Sequence, residues 1–133
     1  MQNPYLLDGL KFDIRLYVLV LSCDPLKIFL YEEGMVRFAT HKYKQLDMNA
    51  DKAAFNNLFM HLTNYAINKE NENFKMAKGM NDETSHKRTF KKVLERLKTE
   101  GLDTDKILGE IKDVIIKTLI TIQQELAHNY RTC

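Results

Sequence analysis

A chain of 133 residues, 44% hydrophobic and 29% charged, has the composition of one globular domain and is short for an enzyme that holds two substrates. Its formal net charge of +2 leaves bulk electrostatics uninformative about partners, and no run approaches the roughly 18 to 20 apolar residues that span a bilayer. The first residues carry no signal-peptide pattern, and Cys23 and Cys133 lack metal-ligand spacing, so both read as free thiols and the default expectation is a cytosolic protein.

In chain order, residues 11–22 read as a strand rich in Ile, Leu, Val, Phe and Tyr. Asp24-Pro25 is a turn signal, residues 27–31 a second strand, Glu32-Glu33-Gly34 a second turn and residues 35–40 a third strand. Short turns between three strands predict an antiparallel meander over about 11–40. Residues 41–54 are polar and read as loop, with a short helix near 52–59 and a short strand over 59–65. Residues 66–84 are rich in Asn, Lys, Glu and Asp and read as a long loop, a common place for function. Residues 85–99 read as a helix capped by Ser85, with Phe90, Val93, Leu94 and Leu97 at helical spacing and Gly101 as its stop. Asp103 or Thr104 caps a longer helix over about 104–128. Its apolar stripe, Ile107, Ile111, Val114, Ile115, Leu119, Ile122 and Leu126, is expected to cover the meander. No repeat or low-complexity segment is present. The fold class is α+β.

Chemistry concentrates in a few places. Lys11, Asp13 and Arg15 alternate, so on a strand they project from one face. Three charges there suit a polyanion such as a nucleotide phosphate; equally, they suit a solvated sheet face with charges paired across strands. Arg37, flanked by Val36 and Phe38, can join Arg15 in a basic pocket or lie on an exposed edge. In His61-Leu62-Thr63-Asn64-Tyr65, the Thr and Asn side chains can bond a phosphate or ribose, or close a turn. The 85–99 helix carries His86, Lys87, Arg88, Lys91, Lys92, Arg96 and Lys98, which fits an acidic polypeptide or a merely solvated face. Nothing aromatic interleaves with it in the manner of a base-stacking surface, so nucleic acid is the weaker reading. No glycine-rich phosphate loop, zinc spacing or nucleophile elbow is present.

Taken together, the motifs resemble the tubulin–tyrosine ligase-like family. Those that carry the resemblance are residues 3–20 (Asn-Pro-Tyr-Leu-Leu-Asp-Gly-Leu-Lys-Phe-Asp-Ile-Arg-Leu-Tyr-Val-Leu-Val), 22–31, 33–40, 60–69 (Met-His-Leu-Thr-Asn-Tyr-Ala-Ile-Asn-Lys), 113–120 and 128–130. They run in order over nearly the whole chain. The resemblance implies an ATP-grasp fold, here an incomplete catalytic domain over residues 1–133. It also implies an ATP-dependent ligase that activates a side-chain carboxylate of tubulin as an acyl phosphate, which an amino acid's amine then attacks. The Leu-Tyr-Val-Leu-Val-x-Ser-Cys-Asp-Pro stretch is most similar to the glutamate-adding branch. A non-catalytic module binding acidic tubulin tails, or a glycine ligase, are the alternatives.

The resemblance also assigns roles. Lys11 and Asp13 match nucleotide contacts, as do Thr63 and Asn64. Arg15 matches a position facing the reacting carboxylate and phosphoryl group. Arg37 matches the position holding the incoming amino acid's carboxylate. Tyr65, Ala66 and Lys87 match the amino-acid pocket, with Ala66 departing from the usual Ser and removing one hydroxyl donor. The implied cofactors are ATP and Mg2+, with the metal ligands expected after residue 133 and the adenine hinge before residue 1. A segment without them is expected to have little activity alone. The implied partners are tubulin C-terminal tails, microtubules and free L-glutamate, with no nucleic acid and no membrane. The implied location is cytoplasmic, on the microtubule cytoskeleton, including cilium and basal body.

Overall fold

The computed structural model describes residues 3–45, 56–77, 79, 82 and 84–132. The chain divides into two compact units, Met1–Arg15 with Gly34–Val93 and Leu16–Glu33 with Leu94–Cys133. The α+β expectation holds, with antiparallel strands followed by helices.

The first unit is built on a three-stranded sheet. Strand β1 (Phe12–Arg15) pairs antiparallel with β4 (Met35–Phe38), which pairs antiparallel with β5 (Lys87–Thr89), giving the order β1-β4-β5. The register sets Phe12 opposite Phe38, Ile14 opposite Val36 and Asp13 opposite Arg37. Alternation then sorts the faces. Val36 and Phe38 are buried, with the Phe12 ring 5.5 Å from Phe38, while Asp13 and Arg37 take the opposite face. Arg88 of β5 lies on the apolar side, its guanidinium 4.2 Å from the Phe38 ring and its Nη1 donating to Asp8 Oδ2 at 3.1 Å. Asp8 and Gly9 form the tight turn that presents this carboxylate. Both have positive φ, and the flanking Leu7 and Leu10 exchange backbone hydrogen bonds.

Two short helices follow, α1 (Leu58–His61) and α2 (Tyr65–Asn68). A strand was expected over 59–65; instead a helical turn precedes extended residues 62–64. Residues 52–55 of the expected 52–59 helix lie outside the described residues. The 66–84 loop expectation is corrected at its start, where α2 runs to Asn68.

Strand β5 also replaces the expected start of the 85–99 helix. Pairing with β4 takes Lys87–Thr89 into the sheet, so helix α3 (Phe90–Thr99) begins five residues later than predicted. Ser85 is buried and its hydroxyl donates to the Lys87 carbonyl, so it caps nothing. Thr89 Oγ1 takes the cap position instead, accepting from the Lys92 N–H at 3.4 Å.

The second unit contains a hairpin of β2 (Val18–Cys23) and β3 (Leu26–Leu30), with a register shift between Val20 and Ser22. The single strand predicted over 11–22 is therefore two strands in two sheets, and the predicted meander is corrected accordingly. Its apolar run continues through Leu16-Tyr17, but β1 takes β4 as partner and β2 takes β3. The long helix α4 (Thr104–Thr132) meets its prediction closely. Asp103 Oδ1 accepts from the Lys106 N–H at 2.9 Å. Gly101, at φ +86°, ends α3: its N–H donates to the Lys98 carbonyl, and that of Leu102 to the Leu97 carbonyl. Gln123 Nε2 donates to the Cys23 carbonyl at 2.9 Å, tying α4 to β2. No described residue of α4 is buried, however, and Val114 on the predicted stripe is 63% exposed. Cys23 is a free thiol, and Cys133 lies outside the described residues. Among the described residues no helix is long and apolar enough to cross a membrane.

Candidate functional site

The sheet of the first unit gathers the charged candidates on one face. Cross-strand partners share a face, so Asp13, Arg37 and Lys87 form a row across β1, β4 and β5. Arg15 stands on the same face two residues along, opposite Met35, and Lys11 lies two residues before Asp13, where its carbonyl accepts from the Ala39 N–H. Alternation in the sequence puts Lys11, Asp13 and Arg15 together and offers Arg37 as a companion of Arg15; the register brings Arg37 to that face and adds Lys87.

Within that row the charges are already engaged. Arg37 Nε donates to Asp13 Oδ1 at 3.0 Å and Nη2 donates to Asp13 Oδ2. This is a two-point pair along one edge of the guanidinium. The hydrogen bond to Asp13 raises the Arg37 pKa above its ordinary value, against partial desolvation, so the cation is permanent. The pair leaves Nη1 and one hydrogen of Nη2 on the guanidinium's outer edge, which can receive a carboxylate in the same two-point fashion.

The segment 61–65 touches this face at both ends. Lys11 Nζ donates to the His61 carbonyl at 2.8 Å. Lys87 Nζ sits 3.9 Å from the centre of the Tyr65 ring, a cation–π contact. Tyr65 in turn meets Phe74 edge-on at 5.6 Å, and Phe74 stacks on His86 at 5.6 Å. Between the two anchors, Thr63 and Asn64 make no side-chain hydrogen bond among the described residues, and Asn64 is exposed. Their hydroxyl and amide, with the Lys11 ammonium, form a donor set whose chemistry suits phosphate oxygens. Ala66 is exposed in α2.

His86 is buried and held on three sides. Its N–H donates to the Lys75 carbonyl, its Nδ1 accepts from the Lys75 N–H at 3.0 Å, and its carbonyl accepts from the Phe38 N–H at 2.9 Å. Burial pushes its pKa down, and the positive charges of Arg88 and Lys75 act in the same direction.

Sequence reasoning passed over Asn68. It is 1% exposed, and its amide bonds Thr40 on one side and the Leu62 and Asn64 carbonyls on the other. The available signal was its spacing, four residues after Asn64 at a helical turn. Among the described residues no group of three His, Cys, Asp or Glu side chains could hold a metal ion. A cavity of about 440 Å³ lies in the second unit, lined by residues including Val20, Cys23, Leu126 and Tyr130 and by none of the candidate residues.

The comparisons with known proteins agree with one another. The model of the tubulin-tyrosine ligase family matches residues 1–133. A probable beta-tubulin polyglutamylase of Tetrahymena thermophila is 51% identical over 134 residues, covering 100% of the chain and 11% of that protein. The tubulin polyglutamylase TTLL13 of Mus musculus is 48% identical over 131 residues, 98% of the chain and 15% of the relative. The tubulin polyglutamylase ttll6 of Danio rerio is 44% identical over 133 residues, 100% and 16%. The chain thus spans between 11% and 16% of the length of these relatives.

Proposed function

The chain belongs to the tubulin-tyrosine ligase family, and from that premise we propose that it is part of an ATP-dependent ligase that adds glutamate to side-chain carboxylates of tubulin tails. The matched relatives are named polyglutamylases, which favours glutamate over glycine. The observation that carries the reading is the row Asp13–Arg37–Lys87, with Lys11 on the same face.

In this reading Arg37 presents its outer edge to the carboxylate of the incoming amino acid, and Asp13 holds the guanidinium in plane. Lys11, Asp13, Thr63 and Asn64 contact the nucleotide, with Lys11, Thr63 and Asn64 at its phosphates. Arg15 faces the reacting carboxylate and phosphoryl group, where a permanent cation stabilises developing negative charge. Lys87 and Tyr65 border the amino-acid pocket, with Ala66 beside them. ATP would supply the phosphoryl group that activates the tail carboxylate; Mg2+ would supply charge neutralisation of the phosphates, and among the described residues no cluster of His, Cys, Asp or Glu would hold it. The ATP-grasp fold, the place on microtubules and the cilium belong to the same proposal and rest on the family resemblance.

The test is incorporation of labelled glutamate into tubulin by the full-length protein, with glycine in parallel. Arg37→Ala is expected to lower glutamate incorporation by about 100-fold, the loss typical of an anchoring charged contact, while ATP affinity stays within about twofold. Lys11→Ala is expected to weaken ATP binding by about tenfold. Preferred incorporation of glycine would overturn the glutamate assignment. Full activity in Arg37→Ala would overturn its role.

A further inference from the structure

Asn68 uses every hydrogen-bonding capacity of its side chain. Oδ1 accepts from the Thr40 N–H at 3.2 Å and from the Thr40 hydroxyl at 2.9 Å. Nδ2 donates to the Leu62 carbonyl at 2.8 Å and to the Asn64 carbonyl at 3.0 Å. Two lone pairs and two hydrogens are thereby matched to two donors and two acceptors. Turning the amide over would set Nδ2 against the Thr40 N–H and Oδ1 against the two carbonyls, so its orientation is determined by its surroundings. Burying an amide this completely is costly unless each bond is made, and here each is made.

What the amide grips matters more than its burial. The Leu62 and Asn64 carbonyls belong to the peptide units on either side of Thr63 and Asn64. Holding both units restrains φ of Thr63 and ψ of Asn64, and with them the directions open to the two side chains. The helix that follows, α2, has four residues and too little cooperativity of its own to orient them. Thr40, the other partner, lies two residues past the end of β4 and three residues after Arg37. Its N–H also donates to the Phe59 carbonyl at 3.1 Å, so the end of β4 is already fixed to α1.

We propose that Asn68 is a positioning residue for nucleotide binding: its amide locks Thr63 and Asn64 to the end of strand β4, so that both present their side chains to the phosphates. This rests on the reading of Thr63 and Asn64 as nucleotide contacts. Asn68 itself touches no ligand. It sets the geometry in which the donor set meets the polyphosphate, and it acts on ATP affinity more than on turnover.

The experiment is calorimetric titration of ATP into the full-length protein, with kcat at saturating ATP and the melting temperature measured alongside. Asn68→Asp keeps the shape and the acceptor toward Thr40 but places an oxygen against the two carbonyls. ATP binding is expected to weaken by about tenfold, with kcat within about twofold. Where Asn68→Asp fails to fold, the pair at Thr40 decides. Thr40→Val removes one donor to Oδ1 and is expected to weaken ATP by about threefold, while Thr40→Ser restores the hydroxyl and the parent affinity. Lower melting temperatures with unchanged ATP affinity in Asn68→Asp and Thr40→Val would overturn the proposal. Thr63→Ala separates the two layers of argument. If Thr63→Ala weakens ATP binding and the Asn68 and Thr40 variants do not, the positioning role fails and the nucleotide reading stands. If Thr63→Ala leaves affinity unchanged, the nucleotide reading fails and the role of Asn68 with it.

Discussion

The two units hold themselves together by different means. In the first, polar side chains reach across the sequence to backbone groups and to each other. Lys11 bonds a carbonyl 50 residues away, Thr40 bonds Asn68 28 residues on, and Arg88 pairs with Asp8 across 80 residues. Its sheet also packs an apolar face in which Val36 is 0% and Phe38 1% exposed. In the second unit most side-chain ties are local, the Gly101 stop, the Asp103 cap, and contacts one turn apart such as Lys117–Asp113 and Thr118–Val114, while Gln123 with the Cys23 carbonyl and Arg131 with Asp24 reach from α4 to the hairpin. Its hairpin leaves Leu19, Leu21, Phe29 and Tyr31 exposed. Every residue assigned a nucleotide, amino-acid or catalytic role belongs to the first unit. Convergence of side chains from distant segments is what a binding site requires, and only long-range ties deliver it.

The contrast predicts where truncation hurts most. Phe38→Ala removes a ring packed against Phe12 and the Arg88 guanidinium, and it is expected to cost about 3–5 kcal/mol in denaturant unfolding. Ile122→Ala, at a side chain 46% exposed, is expected to cost less than about 1 kcal/mol. Equal costs at the two positions would break the comparison.

A second, smaller effect is its pH dependence. His86 has a folded-state pKa below its ordinary value because burial disfavours the imidazolium, and the charges of Arg88 and Lys75 add to that. Between that lowered value and the usual 6.5, the unfolded chain binds more protons than the folded one. Stability contributed by the neutral ring is therefore present above about 6.5 and lost as pH falls through the folded-state pKa. Thermal melts across that range should show the fall, and His86→Asn, which keeps an acceptor and removes the titration, should flatten it. A slope unchanged in that variant would assign the pH dependence to other groups.

The same contrast governs what could be read from sequence. The second unit's helix was legible because its signals are local: an Asp that caps, a Gly that stops and an apolar recurrence at three and four residues. The alternation of Lys11, Asp13 and Arg15 was legible for the same reason. The break at Leu16-Tyr17 was not, because an apolar run carries no mark of where a strand changes partner. Nor was β5 legible. Arg88 and Thr89 fit the start of a helix equally well, and only β4, some 50 residues earlier, draws them into a sheet. The pairing of Asp13 with Arg37 and the clamp at Asn68 depend on register in the same way. Residue types named the candidates; which ones face each other was decided by partners far along the chain.

The smallest expected effect tests the local half of the comparison. Asp103 caps α4 through a single exposed hydrogen bond to the Lys106 N–H, and its carboxylate also meets the positive end of the helix dipole. Asp103→Ala should cost about 1 kcal/mol. If the second unit is held by neighbours in the chain, that loss should appear as faster amide exchange in the first turns of α4, with amides near Gln123, which is tied to Cys23, unchanged. Faster exchange along the whole helix would mean that α4 melts as one body, and that a cap at one end helps hold the hairpin contact at the other.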